Sequence, residues 1–559
     1  MTTPVDPITL SFEGHPPVKC PPRTTINAIL PGPCAPSGLP YIAALVNNDI
    51  ASLSYPLEMD CDVRLLTMAD PEGWHVFQRS IAFLAAKAVK ECFPEAVFAV
   101  DYAVGDGLCC SFEEHPGSNQ SIGLDQVNLI HSRMRALVAL DLPIERTKIS
   151  FAEATRRFTE AGQTDKLNLL RFRNPPRVVI HVCDGFYDLA QGALAPSTGA
   201  LGRFDLIHYP PGFVLQLPSR GGSQVAPFKD QPKLFKIFRE HKTWGRTMGI
   251  NTVGRLNEVI VSGDISDFIK VAEALHEKNV ARIADEIYRR RDAVRLVMIA
   301  GPSSAGKTTF SKRLGIQLRV NGLRVSTISL DNYFQELSRT PVDESGIPDF
   351  EHIDSLDLPL FHQHMVQLIG GEDIELPEFD FGTKQRRPSG IHIKLDRGSI
   401  LIIEGIHGLN PRLSEMLPKE AKFGIYVSAL TQLSLDANNR ISTTDNRLLR
   451  RMVRDHKYRG HSALKTLRMW SSVRRGEERW IYPFQDQADA VFNSALDYEI
   501  AVLKSLAEPL LMEVKPFDRE YAETRRLTAF LANFTGLSDR EVPNTSMLRE
   551  YIGRSSFRY

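Results

Sequence analysis

The run Gly301-Pro302-Ser303-Ser304-Ala305-Gly306-Lys307-Thr308 matches the spacing G-x-x-x-x-G-K-[ST] at every fixed position. Glycines so placed let consecutive backbone N–H groups curl around phosphate oxygens, and the lysine supplies a point charge for the outer phosphates. A hydroxyl such as that of Thr308 ligates Mg2+ in this setting. Gly301, Ser303, Ser304, Ala305, Gly306, Lys307, Thr308 and Thr309 are therefore the expected ATP-binding set. Two carboxylates follow where strands end, Asp331 after Val325–Leu330 and Glu404 after the apolar run Ile400–Ile403. One can take a proton from an attacking hydroxyl while the other holds Mg2+ directly or through water.

A third group is basic. Residues 440–479 hold twelve Lys/Arg against four Asp/Glu. Arg447, Arg451 and Arg454 recur at i, i+4 and i+7, one face of a helix, with Leu448 and Met452 elsewhere on it. Cations at that spacing repel unless an anion sits among them. The expectation is a mobile lid over 447–479 that orders on nucleotide and carries Arg451 and Arg454 onto the phosphates. A solvated helix face and an RNA contact are the competing readings.

Elements that position these groups are legible around them. Leu296–Ala300 is an unbroken apolar run of strand length, as in a parallel sheet buried on both faces. Phe310, Leu314 and Leu318 mark a helix that directs its N-terminus at the anion. Val325–Leu330 and Ile400–Ile403 are further strands. Strand alternating with helix predicts an α/β fold, a parallel sheet with helices on both faces and ligands at the carboxyl ends of the strands. Upstream, residues 7–67 alternate short apolar runs with Pro/Gly turns, a small strand-rich module with one helix. From Trp74, helical spacing of Ile81, Leu84, Ala85, Ala88, Val89 and Cys92 runs until Pro94 stops it. Strands and helices then mix to about 235. Residues 266–291 read as a helical connector, with Phe268, Ala272, Leu275, Ile283 and Ile287 on one face and Asp264 or Ser266 as N-cap.

Composition bounds the classes. The chain has 559 residues, enough for three or four domains, and 67 basic against 67 acidic side chains. Hydrophobic content of 43% and charged content of 24% exclude wholesale disorder. The zero net charge argues against a nucleic-acid coat or a polybasic membrane binder, and residues 1–235 carry only 20 basic against 24 acidic groups. The first residues lack the basic and apolar regions of a secretory signal. The longest charge-free stretch, Thr24 to Asn48, contains Pro31, Pro33, Pro36 and Pro40, so it reads as a loop. Seven cysteines (20, 34, 61, 92, 109, 110, 183) without a Cys-x-x-Cys pair suggest reduced thiols and a cytoplasmic location.

The ordered motifs GPSSAGKTT (301–309), SLDNYF (329–334), DFEHIDSLDL (349–358), LPEFDF (376–381), IIEGIHGLN (402–410) and RLLRRMVRD (447–455) resemble those of the uridine kinase and phosphoribulokinase family of P-loop kinases. The resemblance covers about 294–515. It implies ATP as co-substrate, Mg2+, and a nucleoside acceptor with uridine the first candidate. It makes Asp331 the general base on the 5′-hydroxyl, Glu404 the Mg2+-associated carboxylate, and Arg451 and Arg454 lid residues on the phosphates. Phe379 and Phe381 resemble the walls of the nucleoside pocket, and Glu351 stands where the family has a ribose-binding aspartate. Two positions depart from the pattern: Lys384 replaces a base-reading histidine, and His461 replaces a later lid arginine. The runners-up are a kinase for another small alcohol, such as another nucleoside, pantothenate or a sugar phosphate, and an ATP-gated RNA-binding protein.

The first half resembles another family. Residues 1–68 look like a TGS-type β-grasp module, and 69–235 like the α+β editing domain of threonyl-tRNA synthetases. That domain carries an H-S-x-x-H pattern with a later Cys and His. Here the run is Arg79-Ser80-Ile81-Ala82-Phe83, and the later pair reads Cys183 and Tyr187. One thiol cannot build a metal or editing centre, so Cys183 is expected to be a structural thiol and no metal is expected there. The implied division is 1–68, 69–235, a helical connector 236–293, the kinase-like 294–515 and an extension 516–559, whose run Val542–Gly553 resembles the ending of proteins that join these two halves. Expected partners are a small-molecule nucleoside and no membrane. The synthetase-like half leaves tRNA open despite the charge balance, and a homo-oligomer is open too.

Overall fold

The computed structural model describes residues 6–115, 121–343, 346–380, 383–396, 398–415 and 417–559. The chain opens with strands β1 (Ile8–Phe12), β2 (Val18–Cys20), β3 (Ala43–Val46), β4 (Asp49–Ala51) and β5 (Cys61–Leu66). They form one sheet in the order β2-β1-β5-β3-β4, with β1 and β5 parallel. The helix expected in this module is only a short 3-10 turn at Ile26–Ile29.

Helix α1 (Pro71–Cys92) begins at a proline, which loses nothing at a position whose N–H has no partner inside the helix. Two antiparallel sheets follow. One has the order β11-β12-β7-β6, from β6 (Val97–Val104), β7 (Gly107–Glu113), β11 (Asp205–Tyr209) and β12 (Gly212–Gln216). The other is β10-β9-β8, from β8 (Glu145–Ser150), β9 (Arg177–Cys183) and β10 (Phe186–Leu189). Helices α2 (Leu124–Ala139), α3 (Phe151–Glu160) and α4 (Thr164–Arg173) lie between these strands in the chain. The Ser150 hydroxyl caps α3 by accepting from the Glu153 N–H, a contact worth about 1 kcal/mol.

The segment expected to be a connector is not a free linker. It comprises α5 (Pro232–Met248), α6 (Val253–Ser262) and α7 (Ile265–Arg289). Phe268, Ala272, Ile283 and Ile287 of α7 enter one core with Phe310 and Leu314. Four of the five residues expected on the apolar face lie in this core, and Leu275 is only partly buried. Asp264 precedes α7 without capping it through its side chain.

Beyond α7 lie β13 (Leu296–Ala300), α8 (Lys307–Val320), β14 (Val325–Ser329), α9 (Leu358–Ile369), the hairpin β15 (Asp373–Asp380) and β16 (Gln385–Lys394), and β17 (Ile400–Glu404). Next come β18 (Lys422–Ser428), α10 (Thr443–Arg459), α11 (Ala463–Trp480), β19 (Ala490–Asn493), α12 (Glu499–Leu511), α13 (Tyr521–Leu531) and α14 (Arg549–Ile552). Strands β14-β17-β13-β18-β19 form a wholly parallel five-stranded sheet. Every residue of β13 and of β17 is buried, as burial on both faces requires. One face packs on α7, α8 and the C-terminal helices, the other on Tyr333, Phe361, Met365 and Phe379.

The halves share a core. Tyr102, Val214 and Phe238 pack with Tyr426, Leu430 and Val491, and the Tyr102 and Phe238 rings stack at 3.8 Å. The Val100 N–H donates to the Ala437 carbonyl at 2.8 Å. Lys166 lies 2.9 Å from Asp188 and 3.8 Å from Asp436, with all three side chains buried. Burial opposes the charge on Lys166, but Asp188 and Asp436 outweigh it. No helix among the described residues is long and apolar enough to cross a membrane.

Candidate active site

The phosphate loop joins β13 to α8 at the carboxyl edge of the parallel sheet. Gly306 adopts φ +85°, the left-handed region that glycine enters without strain. A side chain on Gly301 would run into the Val427 carbonyl of β18, so that position also tolerates only hydrogen. Lys307 Nζ donates to the Pro302 carbonyl at 3.2 Å, which folds its ammonium back over the loop.

Asp331 follows β14 in a 3-10 turn, and Glu404 is the last residue of β17. Paired strands bring them to one edge, with Ser329 opposite Glu404 in the ladder. Thr308 Oγ1 donates to Glu404 Oε1 at 3.3 Å. Burial, then the neighbouring Asp331, pushes Glu404 up to about 7, while Lys307 opposes the shift. Two carboxylates, an ammonium and a hydroxyl thus converge beside the loop. Hard oxygen donors in this arrangement suit Mg2+, which Thr308 and Glu404 would hold.

The basic segment departs from its expectation. The arginines do not stand off one another as an open lid, because Asp455 and Glu477 of the segment itself and Glu499 beyond it lie among them. Arg447 donates to both oxygens of Glu477, and Arg450 donates to Glu499 Oε2 at 2.5 Å through Nη2 and 3.0 Å through Nε. Arg451 and Arg454 both face Asp455. Helices α10 and α11 are packed onto the loop rather than held away from it. Arg447 Nη1 donates to the Ser303 carbonyl at 3.0 Å, Arg451 Nη1 to Ser303 Oγ at 2.7 Å, and Arg450 to the Ser304 carbonyl at 3.4 Å. Of the expected lid face, Arg451 touches the loop through Ser303, Arg454 is held on Asp455, and Arg447 is bound to Glu477 as well as to the loop.

The acceptor side is aromatic. Phe379 on β15 is buried, with its ring 5.6 Å from Phe334 and 6.5 Å from Phe350. Phe381 lies outside the described residues. Lys384, in the hairpin turn at φ +59°, sits 5.0 Å over the Phe350 ring. Burial, then Arg459 and Lys465, lowers its pKa, so Lys384 lies near the end of α10 and the start of α11. Glu351 backs onto α11, where a side chain on Gly476 would collide with it. Burial pushes Glu351 up to about 7 against the pull of Arg451 and Lys307. Sequence reasoning missed Phe334, Phe350, Arg450, Glu477 and Arg459. The two phenylalanines stand inside motifs already singled out, whereas Arg450 and Glu477 have partners 49 and 30 residues away.

The side chains that stand where the resembled editing pattern has histidines have partners of their own. Arg79 donates to the Ala193 carbonyl at 3.1 Å, Phe83 packs edge-on against Phe186 at 5.1 Å, and the Tyr187 hydroxyl donates to the Arg157 carbonyl. Cys183 is buried, which raises its pKa. His75, one turn before Arg79, faces Arg526, Glu523 and Asp445, and burial and Arg526 depress it to about 4.

The Phosphoribulokinase / Uridine kinase family model matches residues 296–501. In the N-terminal region the threonine–tRNA ligase of Coxiella burnetii is 32% identical over 168 residues, 30% of this chain and 25% of that protein. The chain thus spans about a quarter of the length of the curated relatives it matches. Among solved structures, a possible uridine kinase from Bacillus stearothermophilus is 19% identical, covering 37% of this chain and all of that one, with a TM-score of 0.25. A D-glycerate 3-kinase from Cryptococcus neoformans is 15% identical, covering 48% and 87%, with a TM-score of 0.21. The chain therefore joins a threonyl-tRNA-synthetase-like segment to a domain that matches the Phosphoribulokinase / Uridine kinase family.

Proposed function

We propose that the kinase half, 294–515, transfers the ATP γ-phosphate to the 5′-hydroxyl of a nucleoside, with uridine the first candidate. The observation that carries this reading is the Phe334/Phe350/Phe379 cluster and the Glu351 carboxylate lying at the same sheet edge as Lys307 and Asp331. Aromatic faces suit a base, and a carboxylate suits ribose hydroxyls. The loop from Gly301 to Thr309 would cradle the phosphates, with Lys307 on the outer pair. Asp331 would take the proton as the hydroxyl attacks in line, while Arg451 and Arg454 stabilise charge on the moving phosphoryl group. Thr308 and Glu404 would hold Mg2+, whose chemistry when bound is to offset phosphate charge. Glu404, the more deeply buried carboxylate beside Thr308, suits the metal, which leaves Asp331 the base. Lys384 over Phe350 would contact the acceptor from the hairpin side.

The first 235 residues would serve as a scaffold or sensor in a chain that works in the cytoplasm. The test is a single-turnover screen of nucleosides with labelled ATP and Mg2+, run beside pantothenate and a sugar phosphate. Transfer to a nucleoside at the highest rate supports the reading. Transfer confined to a non-nucleoside alcohol moves the assignment to that acceptor, and tRNA binding without any transfer favours the RNA-binding alternative.

A further inference from the structure

A carboxylate of the chain itself already occupies donors that a P-loop offers to nucleotide phosphate. Thr309, fully buried in the first turn of α8, donates to Glu550 Oε2 from its backbone N–H at 3.2 Å and from its hydroxyl at 2.6 Å. The Tyr559 hydroxyl lies 2.9 Å from the same Thr309 Oγ1, and Lys312 Nζ is 5.9 Å from the Tyr559 ring. N–H groups in a first helical turn have no partner inside the helix, which is why such turns bind phosphate. In the same loop Ser304 Oγ is buried without a hydrogen-bond partner.

The surrounding charges mark the same seat. Burial opposes the charge on Arg454, while Asp455 and then Glu550 restore it. After burial and Asp331, Glu550 is a further group that opposes ionisation of Glu404. Glu550 therefore bears on the arginine and the carboxylate read here as phosphate and metal contacts. A polyphosphate would place its negative charge among the same groups.

The backbone that delivers Glu550 is fixed. Arg549 donates to the Val542 carbonyl at 2.6 Å and the Asp539 carbonyl at 2.7 Å, and Lys457 donates to the Ile552 carbonyl at 2.7 Å. Leu548 and Tyr551 are fully buried, and the Tyr551 hydroxyl donates to the Ser304 carbonyl at 3.0 Å. The Glu550 side chain is only half-buried, and Tyr559 is 56% exposed. Both can leave by side-chain rotation while α14 stays in the core.

We propose that Glu550, latched by Tyr559, is an autoinhibitory plug that holds the Thr309 donors until a nucleotide phosphate displaces it. The proposal rests on the reading of residues 301–309 as an ATP site. Nucleotide affinity is then reduced by the fraction of molecules whose plug is open. Relieving the plug raises affinity without adding a contact to the ligand.

The test is calorimetric titration of the full chain with Mg-ATP for the wild type, Glu550→Gln and Tyr559→Phe, each checked for an unchanged melting transition. Glutamine keeps the shape of glutamate but removes the charge that makes its hydrogen bonds strong. The Kd for ATP is expected to fall about fivefold or more in Glu550→Gln and about twofold in Tyr559→Phe. Tyr559→Phe keeps the proposal testable if the first variant folds poorly. Equal or weaker ATP binding in a folded variant, with wild-type phosphate transfer, overturns the plug and leaves the kinase reading standing. Absence of ATP binding and of transfer in the wild type and both variants overturns the kinase reading, and the plug with it.

Discussion

Arg447 and Glu477, 30 residues apart in the chain, meet in a two-pronged ion pair with exposures of 1% and 0%, and the same carboxylate accepts the Ser303 N–H at 3.2 Å. One glutamate thereby ties α10, α11 and the phosphate loop together. Burial alone would raise the pKa of Glu477, but Arg447 outweighs it and holds the group ionised.

Glu477→Gln leaves a buried guanidinium without its counter-charge, a loss of about 3–5 kcal/mol. A marked fall in melting temperature is expected. In the wild type, amides across 447–479 should exchange slowly even without nucleotide, because the segment is packed. Fast exchange there in the absence of ATP would restore the open lid.

Lys307→Ala should abolish phosphate transfer while the melting temperature stays close to that of the wild type. The ammonium touches the loop through one hydrogen bond to Pro302, so its removal costs the fold little. Full turnover at saturating ATP in this variant contradicts the assignment of the loop.

Asp331→Asn should retain nucleotide binding and lower turnover by about 10²–10⁴-fold. Glu404→Gln should instead weaken the response to Mg2+, since Thr308 Oγ1 and Glu404 Oε1 lie 3.3 Å apart. Kinetics across a Mg2+ titration separate the two, and the opposite pattern would exchange their roles.

Glu351 gives a dependence on pH. Burial raises it from an ordinary 4.5 to about 7, so between those values the native state binds more protons than the unfolded chain. Its contribution to stability is present below pH 4.5 and is lost as the pH rises through 7. Glu351→Gln should therefore gain melting temperature over the wild type at pH 8 and little at pH 5, while its nucleoside KM rises. A gain independent of pH contradicts the shift.

Purified protein should contain no stoichiometric zinc and should not hydrolyse mischarged tRNA. Arg79, Phe83 and Tyr187 each have a structural partner where the resembled domain has histidines. Elemental analysis finding about one zinc per chain, lost on Cys183→Ser, would overturn this, since one thiol cannot close a zinc site.

The strands β13 and β17 were legible because burial on both faces leaves unbroken apolar runs, and the loop because its chemistry requires fixed spacing, whereas β14, at the sheet edge, has a single buried residue and no such run. Strands β18 and β19 carry Tyr426 and Asn493 in mixed settings and gave no such signal. Charge pairing was the least legible feature. A run with Arg447, Arg450, Arg451 and Arg454 looks unbalanced on its own, yet Glu477 and Glu499 reach it from 30 and 49 residues away. The contact of Glu550 with Thr309 spans 241 residues and has no local signature at all.

The Lys166–Asp188–Asp436 cluster bears on how the protein can be dissected. Asp436 belongs to the kinase half but draws its cation from the other, and even so burial lifts it to about 6. A kinase half cut free would strand that carboxylate and bare the apolar side chains that Tyr102 and Val214 cover. Each half thus completes the packing and charge balance of the other, so a cut between them exposes both.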